Sequence, residues 1–366
     1  MAKNRKRATS RRPQRRRTTP EFDLLEALRA GVDSPTPGPL LGVVGLLLSV
    51  AGRADDPAAT LDDLVRGFSA ADRVETSAAL LAIATLTVDP ALRRRVRREI
   101  AERGHVLPRW LVELHRTEPV DRAVEVSTVF RDADELVVGV TVPGGHPLTA
   151  VVGVDNELGA VAIDGYVVES PLDSVVDLLT EDGDADLRVR DVPAADARAR
   201  LTAALAQLDH GPGRTGSEQL TESRPLVEWM LSLLPEGGAD SELRDLSDDE
   251  LGAIADGFLA SPSGSSWTDE NLRPLLDEVL GAGSGNGIGD PLVWSRGNVR
   301  LLLDAGWRAL DTSTPHLVRV PELLRDLIRY GHAERGLRHQ LTTDALAEVD
   351  AHADAFSAAV RALGQA

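Results

Sequence analysis

The sequence predicts a helix-rich α+β protein: an N-terminal helical bundle, a central antiparallel β-meander with covering helices, and a C-terminal helical domain. Three observations point there. Apolar residues recur at helical spacing over 21–118 and again beyond Arg224, with proline or Ser/Thr/Asp opening the runs. Between 120 and 208 the period changes to two, and short Gly/Asn turns divide the runs. The composition suits aliphatic cores, since 42% of the 366 residues are hydrophobic and only 3% aromatic.

Residues 1–20 contain two prolines and no apolar pattern, so alone they are expected to be disordered. Pro20 precedes an amphipathic run, Glu21–Ala30, closed by Gly31. SPTPGP (34–39) is a linker turn before Leu40–Gly52. The apolar stretch Leu40–Ala51 is too short to span a bilayer. Glu21, Asp23, Glu26 and Asp33 separate it from the basic N-terminus, unlike the layout of a signal peptide. It reads as a buried helix. Thr60 is expected to cap Leu61–Ser69. Arg73–Val88 is apolar on nearly all sides and belongs at the centre of the bundle. Pro90 opens Ala91–Arg103, which Gly104 stops, and Pro108–Arg116 completes the 21–118 segment.

In 120–208, Val124, Val126, Thr128 and Phe130 alternate as a half-buried strand. Leu136–Val142, Leu148–Asp155 and Ala160–Glu169 follow as strands, joined by turns at Gly144–Pro147 and Asn156–Gly159. Helices at Pro171–Glu181 and Pro193–Leu208 are expected to cover one sheet face, with a short strand at Asp186–Asp191 between them. Residues 209–223 read as a linker. Over 224–366 the expected helices are Pro225–Leu234, Ser247–Ala260, Asp269–Leu280, Asn298–Ala305, Pro321–Glu334 and Thr343–Leu363. Ser247 and Glu250 form a capping box, and Thr268 heads a second cap. GAGSGNGIG (281–289) follows a helix rather than a strand, which argues for a flexible loop and against a dinucleotide fingerprint. Trp267, Trp294 and Trp307 read as core anchors.

Charge is segregated. Lys3, Arg5, Lys6, Arg7, Arg11, Arg12, Arg15, Arg16 and Arg17 stand without an acidic residue among them, and no lysine follows Lys6. The remainder carries about −27 and repels polyanions over most of its surface. The basic arm can replace counterions on nucleic acid or another polyanion. With no aromatic before Phe22, such contact is expected to be weak and non-specific. Arg93, Arg94, Arg95, Arg97 and Arg98 form one dense cluster in the body, for which a solvated or interdomain role is expected.

Whole chemistries are excluded. There is no cysteine, so disulfides, thiolate nucleophiles and Cys-ligated metals are absent. The body has no lysine for a Schiff base or a P-loop. The histidines are His105, His115, His146, His210, His316, His332, His339 and His352, with no HExxH among them. Gly336 interrupts the helix between His332 and His339, and Asp350, His352 and Asp354 alternate on a helix and point apart. Surface or capping roles are expected for the histidines, with no metal and no cofactor. The catalytic candidates are Asp155, Glu157 and Asp164, which flank one sheet turn and would serve general acid–base work. His146 sits in the neighbouring turn, and alternating meander turns place it at the opposite sheet end. Turns also favour Asp and Asn for backbone reasons alone.

Two stretches, VGVDNELGAVAIDGYVV (152–168) and WSRGNVRLLLDAGW (294–307), resemble segments of a group of uncharacterised actinobacterial proteins with no assigned activity. Together they cover about a fifth of the chain. In that group a His precedes the Asn and a Lys precedes the Asp; here Asp155 and Ile163 stand in those places. The resemblance implies no catalytic residues.

The function expected from sequence is a non-enzymatic, cytoplasmic binding or interaction protein whose basic arm makes weak polyanion contacts. One alternative is an enzyme using Asp155 and Asp164. Another is a regulatory protein binding a partner through its acidic C-terminal helices, which would leave an exposed apolar patch there.

Overall fold

The computed structural model describes residues 20–157, 159–210, 216–240, 246–285, 287–304 and 310–363. The arm cations at 3–17 and Trp307 lie outside the described residues. The chain divides into two compact units, Met1–His115 and Arg116–Ala366.

In the first unit the helices are α1 (Pro20–Asp33), α2 (Gly38–Gly52), α3 (Pro57–Ala70), α4 (Val74–Leu86), α5 (Pro90–Arg103) and α6 (Arg109–Val112). Every residue of α4 from Thr76 to Leu86 is buried, as an all-apolar helix requires. The cap of α3 is Asp56 rather than Thr60: its carboxylate accepts from the Ala59 N–H at 3.0 Å, and Pro57 fills the first turn. Thr60 is already inside the helix, its hydroxyl donating to the Asp56 carbonyl at 2.8 Å. Gly31 does not close α1 but lies within it. A Cβ there would come 2.8 Å from the Leu40 Cα, so the glycine permits close approach of α2. Gly104 ends α5 in the left-handed conformation, φ 69°.

The second unit opens on β1 (Glu118–Thr128), β2 (Ala133–Val142), β3 (His146–Asp155) and β4 (Val161–Val168). These form the expected meander, with β5 (Leu187–Pro193) antiparallel to β1 at the far edge, in the order β4-β3-β2-β1-β5. Both sheet faces are covered, not one. Leu172 and Val175 of α7 (Leu172–Leu179) pack on Val124, Val126, Val137 and Val151. The intervening side chains point the other way, toward α8 (Ala194–His210) and α9 (Glu218–Leu233). Glu125 and Asp134 therefore meet Arg200 of α8, and Gly165 meets Leu220 of α9. Glu218–Ser223, expected in the linker, form the first turns of α9, because Ser217 caps that helix and is itself tied to β4 through its N–H to the Ile163 carbonyl at 2.8 Å.

Beneath the sheet lies a buried ionic cluster. Glu125 and Asp134 are 2% and 0% exposed. Arg131 bridges them at 2.9 and 2.8 Å, Arg200 does so at 2.5 and 2.9 Å, and Arg190 adds a contact to Glu125 at 2.9 Å. Charges this deep persist only when paired in this way.

The remaining helices are α10 (Asp248–Ala260), α11 (Arg273–Ser284), α12 (Arg296–Asp304), α13 (Val320–Glu334) and α14 (His339–Leu363). They enclose a core containing Phe258, Trp267, Trp294 and Phe356. Both halves of the Ser247–Glu250 capping box form. Thr268 does not cap; Asp269 caps the short 3-10 turn before α11, accepting from the Asn271 N–H. Gly281–Ser284 are helical, so the first part of the expected loop extends α11. A Cβ on Gly283 would lie 2.7 Å from the Trp294 ring, and one on Gly287 2.0 Å from the Arg131 carbonyl, so these glycines serve close packing.

His332 departs from the expected surface role, being 1% exposed. The Trp294 N–H donates to its Nε2 at 3.3 Å, and its Nδ1 lies 3.1 Å from the Thr342 hydroxyl. Burial lowers its pKa from 6.5 to about 4, so the ring is neutral in the fold. Among the described residues, Leu301 is the exposed large apolar side chain on the C-terminal helices. No helix of the described residues is long and apolar enough to cross a membrane.

Candidate functional site

Alternating meander turns place the β1–β2 turn and the β3–β4 turn at the same end of the sheet. The two turns are tied together: the Asn156 N–H donates to the Asp132 carbonyl at 2.9 Å, and the Asn156 side chain donates to the Arg131 carbonyl at 2.9 Å. Arg131 adopts a left-handed backbone, φ 51°, and Gly159 does likewise at 86°. These tight turns bring Asp132, Asp155 and Glu157 into one electrostatic group.

Helix α12 supplies the other wall. Its Asn298 amide donates to Asp132 at 2.9 Å and to the Ser295 hydroxyl at 3.1 Å. The Ser295 hydroxyl stands near the carboxylates of Asp132 and Glu157 and favours their charged forms. Glu157 lies so close to the first turn of α12 that a Cβ on Gly297 would sit 2.0 Å from its Oε1. That oxygen is buried and accepts no hydrogen bond.

Burial, then the like charges of Asp132 and Asp155, push the Glu157 carboxyl up from 4.5 to about 7, against the pull of Arg300 and Ser295. A carboxylate beside a helix N-terminus is ordinarily stabilised as the anion. Here desolvation outweighs that effect, because the buried oxygen has no donor. Burial raises Asp132 as well, with Asp155 adding repulsion.

Glu157 stands on the wall of a cavity of about 430 Å³, a size typical of small-ligand sites. Asn298, Asp277, Glu278, Gly281, Ala282, Gly283 and Gly285 line it, over an apolar surface of Trp294, Leu301, Leu302 and Leu310. Three carboxylates and no basic side chain appear among these lining residues. Asp277 is paired with Arg273 at 2.7 Å, and Glu278 accepts from the Asp311 N–H at 2.7 Å. Glu157 thus carries the least satisfied charge.

Of the sequence candidates, Asp155 and Glu157 come together and Asp164 does not join them. Asp164 opposes Gly153 across the β3–β4 ladder, receives hydrogen bonds from the Ser217 hydroxyl and the Gly165 N–H, and repels Glu135. A register shift at Gly153/Val154 separates it from the turn. His146 lies at the opposite sheet end. Asp132, Ser295 and Asn298 escape sequence reading, because 166 positions separate Asp132 from Asn298 across the two walls. Only the alternation of turns hints at Asp132. The stretches 152–168 and 294–307 meet at this pocket through Glu157, Trp294 and Asn298. Among the described residues no group of three or more His, Asp or Glu side chains is arranged to hold a metal ion.

No family model matches this chain, and neither a curated protein nor a solved structure matches it.

Proposed function

We propose that this chain is a non-enzymatic binding protein that takes a small organic cation, an ammonium group on an apolar body, into the Glu157 pocket. The observation that carries this reading is Glu157, which lines a cavity together with two further carboxylates and an apolar floor, and whose Oε1 is buried without a donor. A ligand ammonium would supply the missing donor as a charge-assisted hydrogen bond, while Trp294 and the leucines would bury its hydrocarbon.

Thermal denaturation at pH 8 with n-alkylammonium ions and alkyl carboxylates of equal length tests the proposal. Ammonium ions raise Tm, carboxylates leave it unchanged, and E157Q abolishes the response. Stabilisation by the carboxylates instead would refute it. A second reading, general acid–base catalysis on a ligand in the same pocket, draws support from the Glu157 pKa of about 7, which matches the working range of such a group.

A further inference from the structure

Helix α5 carries an arginine face that has no counterions among the described residues. Leu92 and Val96 are buried, and Arg103 turns inward to Glu99 and to the carbonyls of Ala71 and Ser69. Helical geometry then aims Arg94, Arg95, Arg97 and Arg98 outward on one broad stripe, and all four are exposed. Arg97 meets the His115 ring at 2.6 Å, which supplies no negative charge. Arg94, Arg95 and Arg98 make no ion pair among the described residues, even though Glu102 lies one turn beyond Arg98.

Some exposed arginines elsewhere are paired, Arg66 with Asp63, Arg122 with Asp173 and Asp191, Arg296 with Glu348 and Arg338 with Asp186, and the exposed ones without an ion pair among the described residues, such as Arg53, Arg188 and Arg361, stand singly. The stripe differs in gathering three such cations on one helix face, inside a protein of net charge −18. Its members also repel one another at i,i+3 and i,i+4 spacing, so the free helix is held in a state that a bound anion would relieve. Residues 20–115 contain 11 Lys/Arg against 14 Asp/Glu, and six of those 11 lie on α5, whereas residues 116–366 contain 20 against 44.

We propose that the Arg94/Arg95/Arg98 face of α5 binds the phosphodiester backbone of a nucleic acid. Guanidinium groups on neighbouring turns suit successive phosphates of one strand, with bidentate contacts that an ammonium could not make. The helix carries no aromatic side chain, so recognition is by backbone charge and not by base stacking. Binding at this face does not depend on the Glu157 pocket.

The test is fluorescence anisotropy with full-length protein and labelled 24-bp duplexes of DNA and of RNA, across 50–300 mM salt. The comparison is with the Arg94→Gln/Arg95→Gln/Arg98→Gln variant. The basic N-terminus is common to both proteins and cancels. Without these three guanidinium groups on the phosphates, the slope of log K against log salt becomes shallower by about 2 to 3, and affinity at 100 mM salt drops roughly tenfold or more. The triple Lys variant retains most of the binding, and R66Q, at a paired arginine, leaves it unchanged. Binding to both duplexes assigns the shared backbone; binding to one assigns that nucleic acid. Three results would overturn the proposal: no binding by the wild-type chain at 50 mM salt, equal slope and affinity in the Gln variant, or binding to phosphatidylserine vesicles with none to either duplex.

Discussion

Replacing Glu157 by glutamine should stabilise the second unit at alkaline pH and leave it nearly unchanged in acid. A carboxyl whose pKa is higher in the fold than in the unfolded chain is bound to its proton more tightly when folded. Its penalty is absent below the unfolded value of 4.5, grows as pH rises through the window to about 7, and is constant above it. A gap of that size corresponds to roughly 3 kcal/mol at ~1.36 kcal/mol per pKa unit. Glu157 is only partly buried, so solvent screening reduces this to about 1–2 kcal/mol. Urea denaturation of wild type and E157Q at pH 5 and pH 8 measures the difference. Tryptophan fluorescence reports mainly on the second unit, which contains Trp229, Trp267, Trp294 and Trp307, against Trp110 in the first. An unsatisfied carboxylate requires E157Q to gain stability at pH 8 and to gain little at pH 5. Equal destabilisation at both pH values would show that the carboxylate is satisfied and that the pocket stores no unfavourable charge.

Arg200→Met should cost about 3 kcal/mol in urea denaturation, because it strips one guanidinium from two carboxylates that have no water to replace it. His332 makes stability fall in acid. Its pKa is lowered from 6.5 to about 4, so stability is intact above pH 6.5 and is lost as pH drops toward 4, by roughly 3 kcal/mol. H332Q should flatten the stability profile across that window while lowering it overall; an unchanged slope would locate the acid sensitivity elsewhere. Asp56→Ala should weaken the first unit by about 1 kcal/mol through loss of the α3 cap, read as a shift in its denaturation midpoint, whereas Thr60→Val should have the smaller effect.

Local physics makes most of the fold legible. Val124, Val126 and Leu136–Val142 announce paired strands because one face of each must be apolar, and the Gly and Asn turns permit only antiparallel returns. Proline at the first turn and glycine after Arg103 bound α5 for the same reason. The misreadings come from long-range packing. Gly31 reads as a helix stop because a glycine that ends a helix and one that admits a neighbouring backbone are identical in sequence. Gly283 and Gly287 read as loop residues, yet Trp294 and the Arg131 carbonyl occupy the space that a side chain would need. At the site, Asp155 and Glu157 are legible as turn carboxylates. Asp132 depends on which turns share a sheet end, and Ser295 and Asn298 depend on α12 docking there, which no local pattern specifies. Proximity in sequence groups Asp164 with them, and the β3–β4 register assigns it to Ser217 instead.

Proton-linked calorimetry examines the Glu157 pocket most directly. An n-alkylammonium ligand that raises Tm is titrated at pH 6.5 into wild type and E157Q, in two buffers of different ionisation enthalpy. A cation that completes the empty Oε1 contact should expel the proton from Glu157, so wild type releases between half a proton and one proton, a rough expectation for a group titrating near neutrality, and E157Q releases none. Binding with the same proton count in both proteins would rule out the Glu157 contact.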